Sequence, residues 1–186
     1  MRRYVGERIQ KLREAQGLTQ EEVCKLTGIK LARLKAFENG TAVPSVGVII
    51  MISRVLGSKI EGLLHGGGTV SEALTICRAG KSHMGQRGNT EQGYAYDSLT
   101  RPGTVGHIME PFMLIFDPNL AKGPPISHDG QEFLYVVSGT IGLFYDGKEY
   151  SLEQGDSVYL DSSRSHTLYC LGDKPAQLLA VVSAQV

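Results

Sequence analysis

The run Gly66-Gly67-Gly68 constrains this chain more than any other stretch, because the hydrophobic pattern changes across it. Three successive residues with permissive backbones and no packing side chains cannot carry one core through, so they mark a hinge. Before them, apolar residues recur at helical spacing. After them come short apolar runs punctuated by turn residues. The expected organisation is therefore an all-α module over 1–65, a glycine-containing linker and lead-in strand over 66–82, and an all-β module over 83–186. A length of 186 residues with 41% hydrophobic content suits two small domains. Charge divides at the same place. The first 65 residues carry 11 Lys+Arg against 6 Asp+Glu and the remainder 8 against 13, although the whole chain is neutral. A basic module joined to an acidic one points to nucleic acid at the N-terminal end only.

Cys24, Cys77 and Cys170 are odd in number, far apart and without C-x-x-C spacing, which argues against a disulfide framework and a zinc knuckle. The start, Met1-Arg2-Arg3-Tyr4, lacks a signal-type apolar region, and no run approaches the ~18 apolar residues of a membrane span. A cytoplasmic protein with no membrane partner is expected.

In the basic module, Val5, Ile9 and Leu12 make an amphipathic first helix that stops near Gly17. Leu18-Thr19-Gln20-Glu21-Glu22 starts a second, in which Thr19 caps the backbone of Glu22 and Glu22 returns the bond. Gly28 ends it. A third helix runs roughly from Lys30 to Glu38, burying Leu34 and Phe37, and closes at Asn39-Gly40. Pro44-Ser45 opens a fourth, with Val48, Ile52, Val55 and Leu56 inward and Gly57 as its stop; a last turn spans Ile60 to Leu64. Cys24 reads as small apolar packing.

Two short helices joined at Gly28, with cationic residues on the second, suit a helix-turn-helix. The wording LTQEEVCKLTGIKLARLKAFENG resembles the xenobiotic-response-element and phage-repressor class of DNA-binding domains over residues 4 to 65. The resemblance implies that the helix from Lys30 enters the major groove of a double-stranded operator while Thr19 and Gln20 meet phosphate. It implicates Lys30, Leu31, Ala32, Arg33, Lys35 and Asn39 as DNA-facing. Leu31, Ala32 and Ala36 stand where base-reading amides are common, so readout falls to thymine methyls and to Lys30, Arg33 or Lys35. Arg13 and Glu38 match positions that form an internal ion pair in this class.

Beyond the glycines, apolar runs at Ala73 to Cys77, Tyr94 to Leu99, Phe112 to Phe116, Phe133 to Val137, Ile141 to Tyr145, Ser157 to Leu160, His166 to Leu171 and Leu178 to Val182 read as strands. Turns such as Arg101-Pro102-Gly103, Ser138-Gly139 and Asp146-Gly147 separate them. Many short strands at this spacing predict an antiparallel sandwich or barrel.

Within this module His128, Glu132 and His166 carry metal-ligand chemistry. A straight strand would hold Glu132 ~13 Å from His128, but Asp129-Gly130 is a turn dipeptide that lets the chain fold back. HDGQEFLYVVSG followed by GDSVYLDSSRSH resembles the paired motifs of the cupin superfamily, a double-stranded β-helix barrel whose mouth commonly holds a metal. The resemblance assigns His128, Glu132 and His166 as ligands and Gly139 and Gly155 as turn glycines. Ile126 stands where that family has a further His, and Asp161 and Ser163 stand where it has Pro and Gly. Two histidines and a carboxylate suffice for iron, manganese, nickel or zinc with an open side. Cys170 shares parity with His166 but lies ~13 Å along the strand, and is expected to pack deeper in the barrel. Tyr94 and Tyr96 share a face that lines the pocket, with Ile126, or fills the core. His65, His83 and His107 have no spaced partners and read as loop or surface residues.

A helix-turn-helix joined to a small cupin resembles bacterial transcriptional regulators that use the cupin as a sensor. The resemblance implies a homodimer on two half-sites and a small-molecule effector or metal at His128, Glu132 and His166, with no catalytic residue. The layout also resembles hydroxypropylphosphonate epoxidase, a mononuclear iron oxygenase whose iron triad and paired tyrosines match the same residues. The Lys that this enzyme takes from its helical module aligns near Gly17, and its polar residue before the first ligand aligns with Pro125.

Overall fold

Side-chain spacing and caps account for five helices in the N-terminal unit of the computed structural model, which describes residues 3–66, 74–78, 90, 92–101 and 106–183. Backbone contacts divide the chain into two compact units, with the changeover at Thr75–Ile76. Gly67, Gly68, Ala73, His83 and the Pro102-Gly103 turn lie outside the described residues, as does most of the expected 66–82 linker.

Helix α1 spans Arg3–Ala15, α2 Gln20–Thr27, α3 Leu31–Glu38, α4 Val46–Val55 and α5 Ile60–His65. Thr19 and Glu22 form a reciprocal capping box at the start of α2, and Gly28 closes that helix at φ 73°. This left-handed conformation favours glycine. Ser45 caps α4 through Val48 N, and Gly66 ends α5 at φ 88°. The core gathers Val5, Ile9, Val23, Leu34, Phe37, Ile49, Ile52, Leu56 and Leu63. The expected inner face of α4 was too narrow and partly misplaced. Val46 to Ile50, Ile52 and Ser53 are all buried whereas Val55 is half-buried, because α4 is buried nearly all round. Gly6 lets α1 approach α3 closely, since a Cβ there would lie 2.0 Å from the Phe37 carbonyl oxygen.

One ionic brace crosses this unit. Arg13 Nε and Nη2 donate to the two Glu38 oxygens at 2.7 and 2.9 Å, and Arg13 Nη1 donates to the Leu18 carbonyl at 2.9 Å. The bond to Glu38 raises the Arg13 pKa above its already high ordinary value, against the desolvation that lowers it.

Among the described residues the second unit holds eight strands: β1 Tyr94–Ser98, β2 Glu110–Phe116, β3 Gln131–Ser138, β4 Ile141–Tyr145, β5 Lys148–Leu152, β6 Ser157–Asp161, β7 His166–Cys170 and β8 Ala176–Ser183. They form a five-stranded sheet in the order β1-β2-β8-β3-β6 and a three-stranded sheet in the order β5-β4-β7, all pairs antiparallel. Alternation sends Tyr96, Phe112, Leu114, Leu134, Val136, Leu178 and Ala180 inward as a buried core. Asp146-Gly147, with φ 48° and 84°, turns β4 into β5 as a two-residue hairpin loop.

Three strand readings need correction. Residues 74–77 of the expected run Ala73 to Cys77 form no strand, and Leu74 and Ile76 are 74% and 53% exposed. Strand β5 was missed because Lys148, Glu149, Tyr150 and Ser151 are all exposed, leaving no apolar alternation to read. Cys170 does not pack deeper in the barrel: it is half-buried at the end of β7, with its thiol directed at the carbonyls of Lys174 (3.2 Å) and Gly172 (3.7 Å) in the following turn.

Candidate metal centre and nucleic-acid interface

The metal centre begins with a local fold-back. Gly130 sits at φ 102°, which turns the chain after Asp129 and brings His128 over the first residues of β3. His128 N donates to the Ser162 carbonyl at 2.9 Å, and Ser162 N donates to the Gly130 carbonyl at 3.1 Å, so the turn is tied to the β6–β7 loop. Ile126 and His166 then exchange both backbone hydrogen bonds, at 2.9 and 2.8 Å. These ties bring together three side chains that are 38 residues apart at their extremes in the sequence.

His128, Glu132 and His166 are all buried, and their candidate ligand atoms lie within 4.8 Å of one another. His128 Nε2 stands 2.9 Å from Glu132 Oε1 and His166 Nε2 stands 3.8 Å from it. Ligands at right angles around one ion with bonds of ~2.1 Å lie roughly 3 Å apart, so the spacing fits a shared transition metal. The imidazole planes meet at 77°, with centroids 5.3 Å apart.

Tautomer chemistry strengthens the fit. His166 Nδ1 lies 2.8 Å from the Arg164 carbonyl and His128 Nδ1 lies 3.2 Å from that of Asp129. A carbonyl only accepts, so each Nδ1 carries a proton, and in the neutral ring this leaves each Nε2 a lone pair for a metal. His128 Nε2 is buried without a hydrogen-bond partner: Glu132 is near enough but lies off the required axis. In the neutral ring that lone pair faces the carboxylate at 2.9 Å, an arrangement that a shared cation would satisfy. Burial alone would raise the Glu132 pKa, but the contact with His128 and the nearness of both imidazoles outweigh it and hold the carboxyl below its ordinary value. The residues fit a divalent metal.

Tyr94 and Tyr96 lie in the inward row of β1, against Phe116 (centroids 5.2 Å) and Phe112 (5.9 Å) respectively. Burial drives the Tyr96 pKa upward. Ile126 is half-buried beside His166. Sequence reading missed Tyr145, which pairs with His166 on the opposite side. Its parity with Ile141 and Leu143 was available as a signal, but the neighbour of β4 was not.

On the helical unit, Ala32, Lys35 and Asn39 are exposed and Ala36 is half-buried; spaced by three and four residues, they form one outward stripe of α3. Lys30 is the exposed residue preceding that helix. Leu31 and Arg33 are half-buried, with the Arg33 guanidinium 5.7 Å from the Phe37 ring centroid. Thr19 is exposed at the start of α2. Gln20 is turned inward, its Nε2 donating to Glu38 Oε2 at 2.7 Å, a link that sequence reading missed.

This two-unit architecture with its buried triad defines a class. Residues 9–63 match the helix-turn-helix family and residues 112–182 match the cupin domain family. The chain is a DNA-binding transcriptional regulator with an N-terminal helix-turn-helix and a C-terminal cupin domain. It is 22% identical to the HTH-type transcriptional regulator PuuR of Escherichia coli (strain K12) over 96% of this chain and 92% of that protein. Among solved structures, a helix-turn-helix family transcriptional regulator from Vibrio cholerae superposes with a TM-score of 0.72 at 17% identity, covering 100% of this chain and 97% of that one. Fe(II) HppE superposes with a TM-score of 0.50 at 24% identity, covering 97% and 98%. At these identities the two structures establish a shared fold. Among the described residues, no helix is long and apolar enough to cross a membrane.

Proposed function

We propose that the cupin domain senses a small molecule, a metal or both, and biases operator binding by the helical domain. The convergence of His128, Glu132 and His166 in a helix-turn-helix protein carries this reading. His128, Glu132 and His166 would hold a divalent iron, manganese, nickel or zinc ion, which would supply Lewis acidity and room for an exchangeable ligand. The chain's own contribution is to fix both histidine tautomers and exclude bulk water from the three ligands. Sensing requires that the ligand bind two arrangements of the protein unequally. The domains divide as 1–65 and 83–186, with 66–82 as linker, and the protein acts in the cytoplasm.

DNA contact falls to Lys30, Leu31, Ala32, Arg33, Lys35 and Asn39, with Thr19 near phosphate. Gln20 serves from behind: its bond to Glu38 sets the start of α2 against the end of α3. A homodimer reading two half-sites suits a single helix-turn-helix per chain. Lys35→Ala tests the interface. The slope of log K against log salt should flatten by about 0.9 for one lost phosphate contact, and an unchanged slope would remove Lys35 from the DNA surface.

The triad also favours a second reading, iron-dependent oxidation of a small substrate. Oxygen consumption by iron-loaded protein with candidate phosphonates separates it from regulation, as does a mobility shift on the DNA upstream of the protein's own gene.

A further inference from the structure

His166 has a neighbour on each side in its row of the smaller sheet. Tyr145 opposes it on β4 and Ile126 opposes it through the backbone bridge. Directly opposed residues of antiparallel strands project to the same face, so Ile126 and Tyr145 flank the imidazole on the metal side. Tyr145 has the parity of Ile141 and Leu143, both buried. Its hydroxyl donates to the Asp161 carbonyl at 3.0 Å, so the ring reaches from the smaller sheet to the end of β6 in the larger one beside His166. Both flanking residues are half-buried whereas the triad is buried.

Ser162 is fully buried, its hydroxyl has no hydrogen-bond partner, and its backbone is bonded to His128. That hydroxyl is a donor in want of an oxygen. Two neutral imidazoles and one carboxylate also leave a divalent ion with one positive charge unmatched. Glu110, two strands from Glu132 in the same inward row, accepts from Thr100 at 3.4 Å and at ~10 Å is too distant to neutralise the ion directly.

We propose that the site takes a small organic monoanion of the carboxylate class. One oxygen would take an open position on the metal, the other would accept from Ser162, and a short apolar body would lie against Ile126. This rests on the metal reading above, and the experiment keeps the two apart. Full-length protein is loaded with Co(II), whose visible bands report coordination, and titrated with formate, acetate and propionate. Affinity should rise about fourfold per added methylene, as burial of one CH₂ gives. Ile126→Ala should flatten that series and Ile126→Val should give an intermediate slope. Ser162→Ala should weaken every member about tenfold, the loss of one hydrogen bond to a charged group, while leaving the slope intact. Cobalt bands that no carboxylate moves, or a flat series in the parent protein, overturn the carboxylate site and leave the metal standing. Failure to form cobalt bands overturns both.

Discussion

Glu38 illustrates how much one side chain can organise. Its carboxylate accepts two bonds from Arg13 and one from Gln20, so α1, α2 and α3 meet at a single buried group. Removing one partner of a buried ion pair strands the other charge, at a cost of about 3–5 kcal/mol. Glu38→Ala should therefore destabilise the helical unit by that amount in denaturant unfolding, and a loss under 1 kcal/mol would show the brace to be dispensable. Tyr169 makes the complementary case on the sheet unit. Its ring covers Gly142, where a Cβ would lie 2.2 Å from the ring, and its hydroxyl donates to Glu149 at 2.6 Å. That bond pushes the Tyr169 pKa up to about 12. Folding thus favours the protonated phenol, so its contribution is fully present below pH ~10 and is lost as pH rises towards the folded value. Tyr169→Phe should be the less stable protein at pH 8, with the difference closing by pH 12; unfolding curves offset equally at all pH values would contradict this.

At the scale of elements, the caps decide where helices begin. The Thr19–Glu22 box satisfies backbone groups that α2 would otherwise leave open, and Thr19→Ala should cost about 0.5–2 kcal/mol in unfolding free energy. The same bonds from Thr19 hold the Glu22 carboxyl below its ordinary pKa, so their contribution fades as pH falls through the folded value. Such elements were legible because caps, turn glycines and apolar periods act over a few residues. Thr19, Gly28 and Asp146-Gly147 each declare their role locally. Strand β5 did not, since an exposed edge strand has no buried face to leave a pattern. Gly6 reads as an ordinary helix residue until α3 lies against it, and Tyr145 becomes a neighbour of His166 only once β4 pairs with β7. The triad was legible in its members, whereas the bonds that set both Nε2 lone pairs depend on loop conformation.

At the scale of the whole molecule, a DNA-binding domain and a cupin domain share one chain, and the sensing proposal joins them. Coupling free energies between two sites typically amount to 1–3 kcal/mol, or roughly 5–150-fold in affinity. The most direct measurement is fluorescence anisotropy of full-length protein on labelled DNA from upstream of its own gene, comparing metal-loaded with metal-stripped protein. A sensor built on His128, Glu132 and His166 gives affinities that differ by at least about fivefold, and His166→Ala abolishes the difference while still binding DNA. Identical affinities in the loaded and stripped states would contradict metal-coupled sensing.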